Sequence, residues 1–212
     1  IQFLDAIVAT GEGNRYNTLA DNSIGADGVG ELKTAVYAYD KNNRGNHHNT
    51  ISGNYIYNFT ENGIYIAPQT VALGGADLAN NWQISGNSLY YDGANTFPGT
   101  STAITGINFV PGVWSDNNTI EGNFIGGSSD SAAGTFNNSA QLLFKGIKLI
   151  VGTTGATSVQ ANRVSSINLT HTGSSQFVGI EATSGLIHIG NVKGNIIGDS
   201  TASNSIQHAG YN

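Results

Sequence analysis

Asn117-Asn118-Thr119-Ile120-Glu121-Gly122-Asn123-Phe124-Ile125-Gly126 is the stretch whose reading decides the fold. Ile120 and Ile125 are apolar, and Gly122-Asn123 stands between them. Taken alone, this is a short strand, a tight corner and a second short strand. The chain then repeats it. The other copies are Leu19-Ala20-Asp21-Asn22-Ser23-Ile24, Ile51-Ser52-Gly53-Asn54-Tyr55-Ile56, Ile84-Ser85-Gly86-Asn87-Ser88-Leu89, Val159-Gln160-Ala161-Asn162-Arg163-Val164 and Val192-Lys193-Gly194-Asn195-Ile196-Ile197. Each reads apolar, two small or polar residues, Asn, any residue, apolar.

A second motif alternates with the first: Gly63-Ile64-Tyr65-Ile66, Gly106-Ile107-Asn108-Phe109, Gly146-Ile147-Lys148-Leu149 and Gly179-Ile180-Glu181-Ala182. Ala35-Val36-Tyr37-Ala38 fits it more loosely, and Ile1-Gln2-Phe3 resembles its strand. Ser205-Ile206-Gln207-His208 is expected to begin the next copy. Each repeat is therefore a Gly-Ile strand, a loop of variable length, and an Asn-cornered pair of strands.

Strands this short cannot bury a face alone. Stacked on neighbouring copies at about 4.8 Å, they form parallel sheets around one continuous core. Asn22, Asn54, Asn87, Asn123, Asn162 and Asn195 then share one corner and are expected to stack as an amide ladder. Asn also tolerates a left-handed corner. Glycine before Ile suits a corner needing positive φ or close approach. A β-sandwich with Asn-Gly turns is the alternative, but it has no reason to repeat a motif at a period of 32 to 39 residues.

With these Asn-Thr-Ile-x-Gly-Asn-x-Ile and Gly-Ile-x-Ile units, cleanest at Asn49 to Ile56 and Asn118 to Ile125, the chain resembles the right-handed parallel β-helix, or pectin-lyase-like, solenoids. The resemblance covers nearly the whole chain. It implies an all-β, single-domain right-handed solenoid of about six coils over residues 1–212, with variable surface loops. Right-handedness also follows the general preference of parallel connections.

Composition narrows the function classes. The chain has 212 residues, a net charge of −6 and only 10% charged residues. That is no basic footprint for nucleic acid. No stretch of eighteen apolar residues offers a membrane span. Cysteine is absent, which excludes disulfides and thiolate metal sites. The chain begins at Ile1, and the expectation is a segment of a longer repeat protein. No Lys or Arg occurs between Asn46 and Phe144, so one end is expected to be acidic.

The densest ionisable cluster is Asp40, Lys41, Arg44, His47 and His48. In a β-helix polysaccharide lyase, Lys41 and Arg44 would act as base and uronate-binding cation. No other coil supplies basic partners, and no Arg-x-Pro-x-x-Arg segment is present. His47-His48 as neighbours on a strand would point to opposite faces and chelate poorly. His171, His188 and His208 share no motif position. No dedicated metal or cofactor site is expected. Calcium on Asp side chains and loop carbonyls is the one cation considered, without an Asp-x-Asp-x-Asp run to mark it.

Tyr55 and Tyr57 flank inward Ile56 and so face outward. With Trp82 and Trp114 they are candidate platforms for stacking on sugar rings, against the alternative of packing between coils. Asp130-Ser131-Ala132 and Asp199-Ser200-Thr201 resemble the Asp-Ser/Thr-apolar O-glycosylation motif of exported Bacteroidetes proteins.

The low-charge Gly-Asn-x-Ile-Gly phrases are similar to repeats of large exported bacterial surface proteins. That resemblance implies a non-catalytic structural or adhesive segment, extracellular or on the cell surface, that touches glycans with its loops. It also implies end-to-end contact with neighbouring repeats. A polysaccharide lyase or glycosidase and a phage tailspike-type fibre are the alternatives.

Overall fold

The computed structural model describes residues 1–4, 13–26, 32–39, 45–68, 79–93, 102–173, 175–199 and 205–209. Within them the chain is a parallel β-solenoid of six coils. Each coil contributes one strand to each of three six-stranded sheets. Sheet A takes β1 (Gln2–Leu4), β4 (Leu32–Tyr39), β7 (Phe59–Ile66), β10 (Thr102–Phe109), β14 (Leu142–Ile150) and β18 (Gln176–Ser184). Sheet B takes β2 (Thr18–Ala20), β5 (Thr50–Ser52), β8 (Gln83–Ser85), β11 (Thr119–Glu121), β15 (Thr157–Gln160) and β19 (Ile187–Ile189). Sheet C takes β3 (Ser23–Gly25), β6 (Tyr55–Tyr57), β9 (Ser88–Tyr90), β12 (Phe124–Ile125), β16 (Arg163–Val164) and β20 (Ile196–Ile197).

One expectation fails here. From the fourth coil onward there is a further sheet, D, made of β13 (Phe136–Asn138), β17 (Ile167–Leu169) and β21 (Ile206–His208). Ser205-Ile206-Gln207-His208 therefore does not open a new coil in sheet A. Its strand pairs with β17, with Ile206 opposite Ile167. The stretch Gly126 to Ser139 carries a 3-10 turn at Asp130–Ala132 and strand β13. Three-residue strands with one apolar side look alike from sequence, and only register distinguishes them.

The apolar positions stack in columns along the axis. Leu19, Ile51, Ile84, Ile120, Val159 and Ile189 are register partners in sheet B. Ile24, Ile56, Leu89, Ile125, Val164 and Ile197 are their counterparts in sheet C. The middle members of both columns are fully buried. Each apolar side chain thus packs on its own copy above and below, which lets a short repeat build a continuous core.

The amide ladder is present at the corner between sheets B and C. Asn22 Nδ2 donates to Asn54 Oδ1, Asn54 to Asn87, Asn87 to Asn123, Asn123 to Asn162, and Asn162 to Asn195, at 2.9 or 3.0 Å throughout. Each backbone N–H donates to the same oxygen. The second Nδ2 proton goes back one coil, as from Asn123 to the Ile84 carbonyl at 2.9 Å. The amide-to-amide donations from Asn22 through Asn162 all run toward the C-terminal neighbour. Steps of 32, 33, 36, 39 and 33 residues in sequence are absorbed by loops and leave the rung spacing unchanged.

The left-handed residue is not the ladder Asn but the one before it. Asp21, Gly53, Gly86, Gly122 and Ala161 have φ of 56, 63, 62, 65 and 51°. This is why the position is so often glycine. A Cβ at Gly122 would meet only the Gly86 nitrogen, at 4.0 Å, so the conformation and not space selects glycine there. Gly122→Ala should cost about 1 kcal/mol and Ala161→Gly should gain about the same, read as shifts in urea midpoint.

The Gly-Ile glycines obey a different rule. Gly63, Gly106, Gly146 and Gly179 lie inside strands of sheet A, not at corners, and none has positive φ. A Cβ on Gly63 would point at Leu89 and Phe59 in the core, although the next residue, Ile64, is also fully buried. Two consecutive residues face inward, the pleat breaks, and one of the two must lack a side chain.

Candidate functional site

That break in the pleat sets the outer surface of sheet A. The residue before each glycine and the second residue after it both face out, giving two rows parallel to the solenoid axis. One row runs Thr34, Asn62, Thr105, Lys145, Val178. The other runs Gln2, Tyr37, Tyr65, Asn108, Lys148, Glu181. Five strand spacings make the longer row about 24 Å from end to end.

Chemistry changes along it. At the N-terminal coils the row is aromatic: the Tyr37 and Tyr65 rings are 5.5 Å apart, and Tyr39 stacks on Tyr37 at 6.3 Å. Burial pushes the Tyr37 phenol up, and the neighbouring phenols of Tyr65 and Tyr39 push it further. Burial raises Tyr65 as well. Both hydroxyls are therefore neutral at ordinary pH and can donate and accept. Beside them an open cavity of about 470 Å³ is lined by Ile1, Gln2, Lys33, Thr34, Tyr37, Glu61, Asn62 and Tyr65.

Amides follow. Asn108 Nδ2 donates to Asn62 Oδ1 at 3.0 Å, and Asn62 Nδ2 to Thr34 Oγ1 at 3.3 Å. The Asn108 Oδ1 is buried and accepts no hydrogen bond among the described residues. An amide oxygen shut off from water without a donor is costly. The row then becomes charged. Lys145 pairs with Glu181 at 2.6 Å, whereas Lys148 has no carboxylate within ion-pair distance among the described residues.

The described residues singled out from sequence lie off these two rows. Asp40, Lys41 and Arg44 fall outside the described residues. Trp82 is no platform: it is 1% exposed, packs edge-on against Phe3, and its indole N–H donates to the Asn46 carbonyl. The coil needs a large apolar residue there, and alternation around β8 could not reveal it because Trp82 lies just outside that strand. Tyr57 is half-buried and stacks on Tyr90 of the next coil at 5.5 Å. Tyr55 and Trp114 are exposed, at 45% and 52%, on different parts of the surface. Ser131 is exposed in its 3-10 turn, and Ser200 and Thr201 are outside the described residues.

His47 and His48 do not point apart. His48 has φ 55°, which turns its ring onto the side of His47, and the two Nδ1 atoms are 2.7 Å apart. His171 accepts from the Gly173 N–H, and His208 meets the Ser175 carbonyl, so each serves its own turn or coil. Among the described residues no group of three or more His, Asp or Glu converges on one point, and no helix is long and apolar enough to cross a membrane.

Sequence reading also missed a second amide corner, ahead of sheet B. Asn17 Nδ2 donates to Asn49 Oδ1 at 3.1 Å, the Trp82 N–H to Asn118 Oδ1 at 3.0 Å, and Asn118 Nδ2 to Thr157 Oγ1 at 3.2 Å. The Asn-Thr-Ile phrase was its signal, but Trp82 interrupts the row. No family model, curated protein or solved structure matches this chain.

Proposed function

We propose that this chain is a non-catalytic structural and adhesive segment of an exported bacterial surface protein or fibre, and that it holds a glycan along the outer face of sheet A. The observation that carries the reading is the Tyr37, Tyr65, Asn108, Lys148 row. It offers aromatic rings, a side-chain amide and a cation without an ion-pair partner among the described residues, at successive strand spacings of about 4.8 Å. A stretched glycan presents ring faces, hydroxyls and, in acidic polymers, carboxylates at a comparable interval. Rigid β-sheet fixes the spacing, so little ordering entropy is lost on binding. On this reading the contact is made by the repeating sheet, where the sequence led to an expectation of contact through the loops.

The test is a glycan array followed by calorimetry on the best ligand. Tyr37→Ala and Tyr65→Ala should each weaken binding about tenfold, from roughly 1.5 kcal/mol of lost ring stacking. Binding unchanged in both variants removes the sheet A reading. Release of unsaturated uronides or reducing ends, abolished by Lys41→Ala or Arg44→Ala, replaces it with the polysaccharide lyase or glycosidase.

A further inference from the structure

We propose that the corner at His47-His48 is a two-histidine site for a copper(II)-class ion, separate from the sheet A row. The case begins with the backbone. Tyr16, His48, Asn81 and Asn117 occupy the same corner of four successive coils, with φ of 56, 55, 56 and 57°. Each is followed by a residue of the second amide corner. Only in the second coil is the left-handed residue a histidine preceded by another histidine. On a regular strand the two rings would diverge. The left-handed turn brings them together with ring planes at 73°.

The corner is held from both sides. Asn46 and Asn49 are buried at 2% and 0%, and Asn49 takes part in the Asn17 hydrogen bonds. The His48 N–H donates to the Asn80 carbonyl at 2.9 Å, and His47 forms a parallel bridge with Arg15. His47 is 9% exposed, whereas His48 is open to solvent. The Tyr16 ring lies 4.9 Å from the His48 ring. The ligand pair is thus pre-positioned and reachable from one side.

The donor type selects the ion. Two imidazole nitrogens bind copper(II) more tightly than the other divalent first-row ions in general. Without metal, one Nδ1–H donates to the other Nδ1. On binding, that ring moves its proton to Nε2, so both Nδ1 lone pairs face the ion. Solvent completes the coordination. The Arg15 guanidinium lies 5.7 Å from the Tyr16 ring.

Asparagine occupies the His48 position in the next two coils, as Asn81 and Asn117, so His48→Asn keeps a residue the turn accepts. Copper(II) and zinc(II) are titrated separately into the protein, His47→Asn, His48→Asn and, as a control, His188→Asn. Copper binding is read by electron paramagnetic resonance and both metals by calorimetry, with circular dichroism confirming the fold. The expected result is one copper(II) with two-nitrogen hyperfine structure, bound at least tenfold more tightly than zinc(II). Copper affinity should fall at least tenfold in both site variants and stay unchanged in His188→Asn. Equal copper binding by His48→Asn, a single-nitrogen spectrum, or preference for zinc(II) would overturn the assignment.

Discussion

Asn123→Ala is expected to destabilise the solenoid by about 4 kcal/mol, measured as a lower urea midpoint with the fluorescence of buried Trp82 as probe. The Asn123 side chain is fully buried and uses all four of its hydrogen-bonding positions. Its oxygen accepts from Asn87 N and Nδ2 at 3.0 and 2.9 Å. Its nitrogen donates to Asn162 Oδ1 and to the Ile84 carbonyl, both at 2.9 Å. Alanine strips these groups of a partner inside a dry core, where each unmet group costs about 1–3 kcal/mol and the costs overlap. Asn123→Asp should be worse still, because it turns a donor into an oxygen facing two other oxygens. Asn22 is the internal control. It is half-buried and its amide makes two side-chain donations, so Asn22→Ala should cost only about 1 kcal/mol. Equal losses at Asn22 and Asn123 would mean that ladder position does not matter and that the burial argument fails.

Gly146→Ala should cost about 3 kcal/mol for a single methyl group. The added Cβ would lie 2.5 Å from the Gly179 carbonyl oxygen and 2.7 and 2.8 Å from the two Val164 methyls. A flexible side chain could move aside, but the nearest atom belongs to the backbone of the next coil. Relief requires the strands of sheet A to part. The paired variant Gly146→Ala with Val164→Ala should recover only part of the loss, since it clears the methyls and leaves the carbonyl. Full recovery would show that side-chain crowding alone selects glycine. The contrast with Gly122→Ala separates two reasons for a repeated glycine, space at one site and φ at the other.

The fold was readable because the ladder asparagines are both buried and fully satisfied. A residue with that many fixed partners recurs at the same place in each coil, and its apolar neighbours recur with it. Sheet D was not readable, because Phe136-Asn137-Asn138 and Ile206-Gln207-His208 carry too few side chains to announce which neighbour they pair with. The candidate site was harder again. Asp40, Lys41, Arg44, His47 and His48 drew attention by crowding along the chain, whereas Tyr37, Tyr65, Asn108 and Lys148 are scattered through it and meet only when coils stack. Trp82 misled because an aromatic outside a strand has no parity to read. The His47-His48 geometry depended on one left-handed φ that the pair itself does not signal.

The ladder's one-way donation carries a further consequence. Because each inner rung donates to the amide oxygen of the next rung and accepts from the amide of the one before, the amide-to-amide stack is vectorial. A coil inverted end for end would set amide oxygen against amide oxygen and hydrogen against hydrogen. The buried amides thus act as a built-in proofreader of polarity: during folding, apolar columns would tolerate a coil laid on backwards, and the asparagines would reject it.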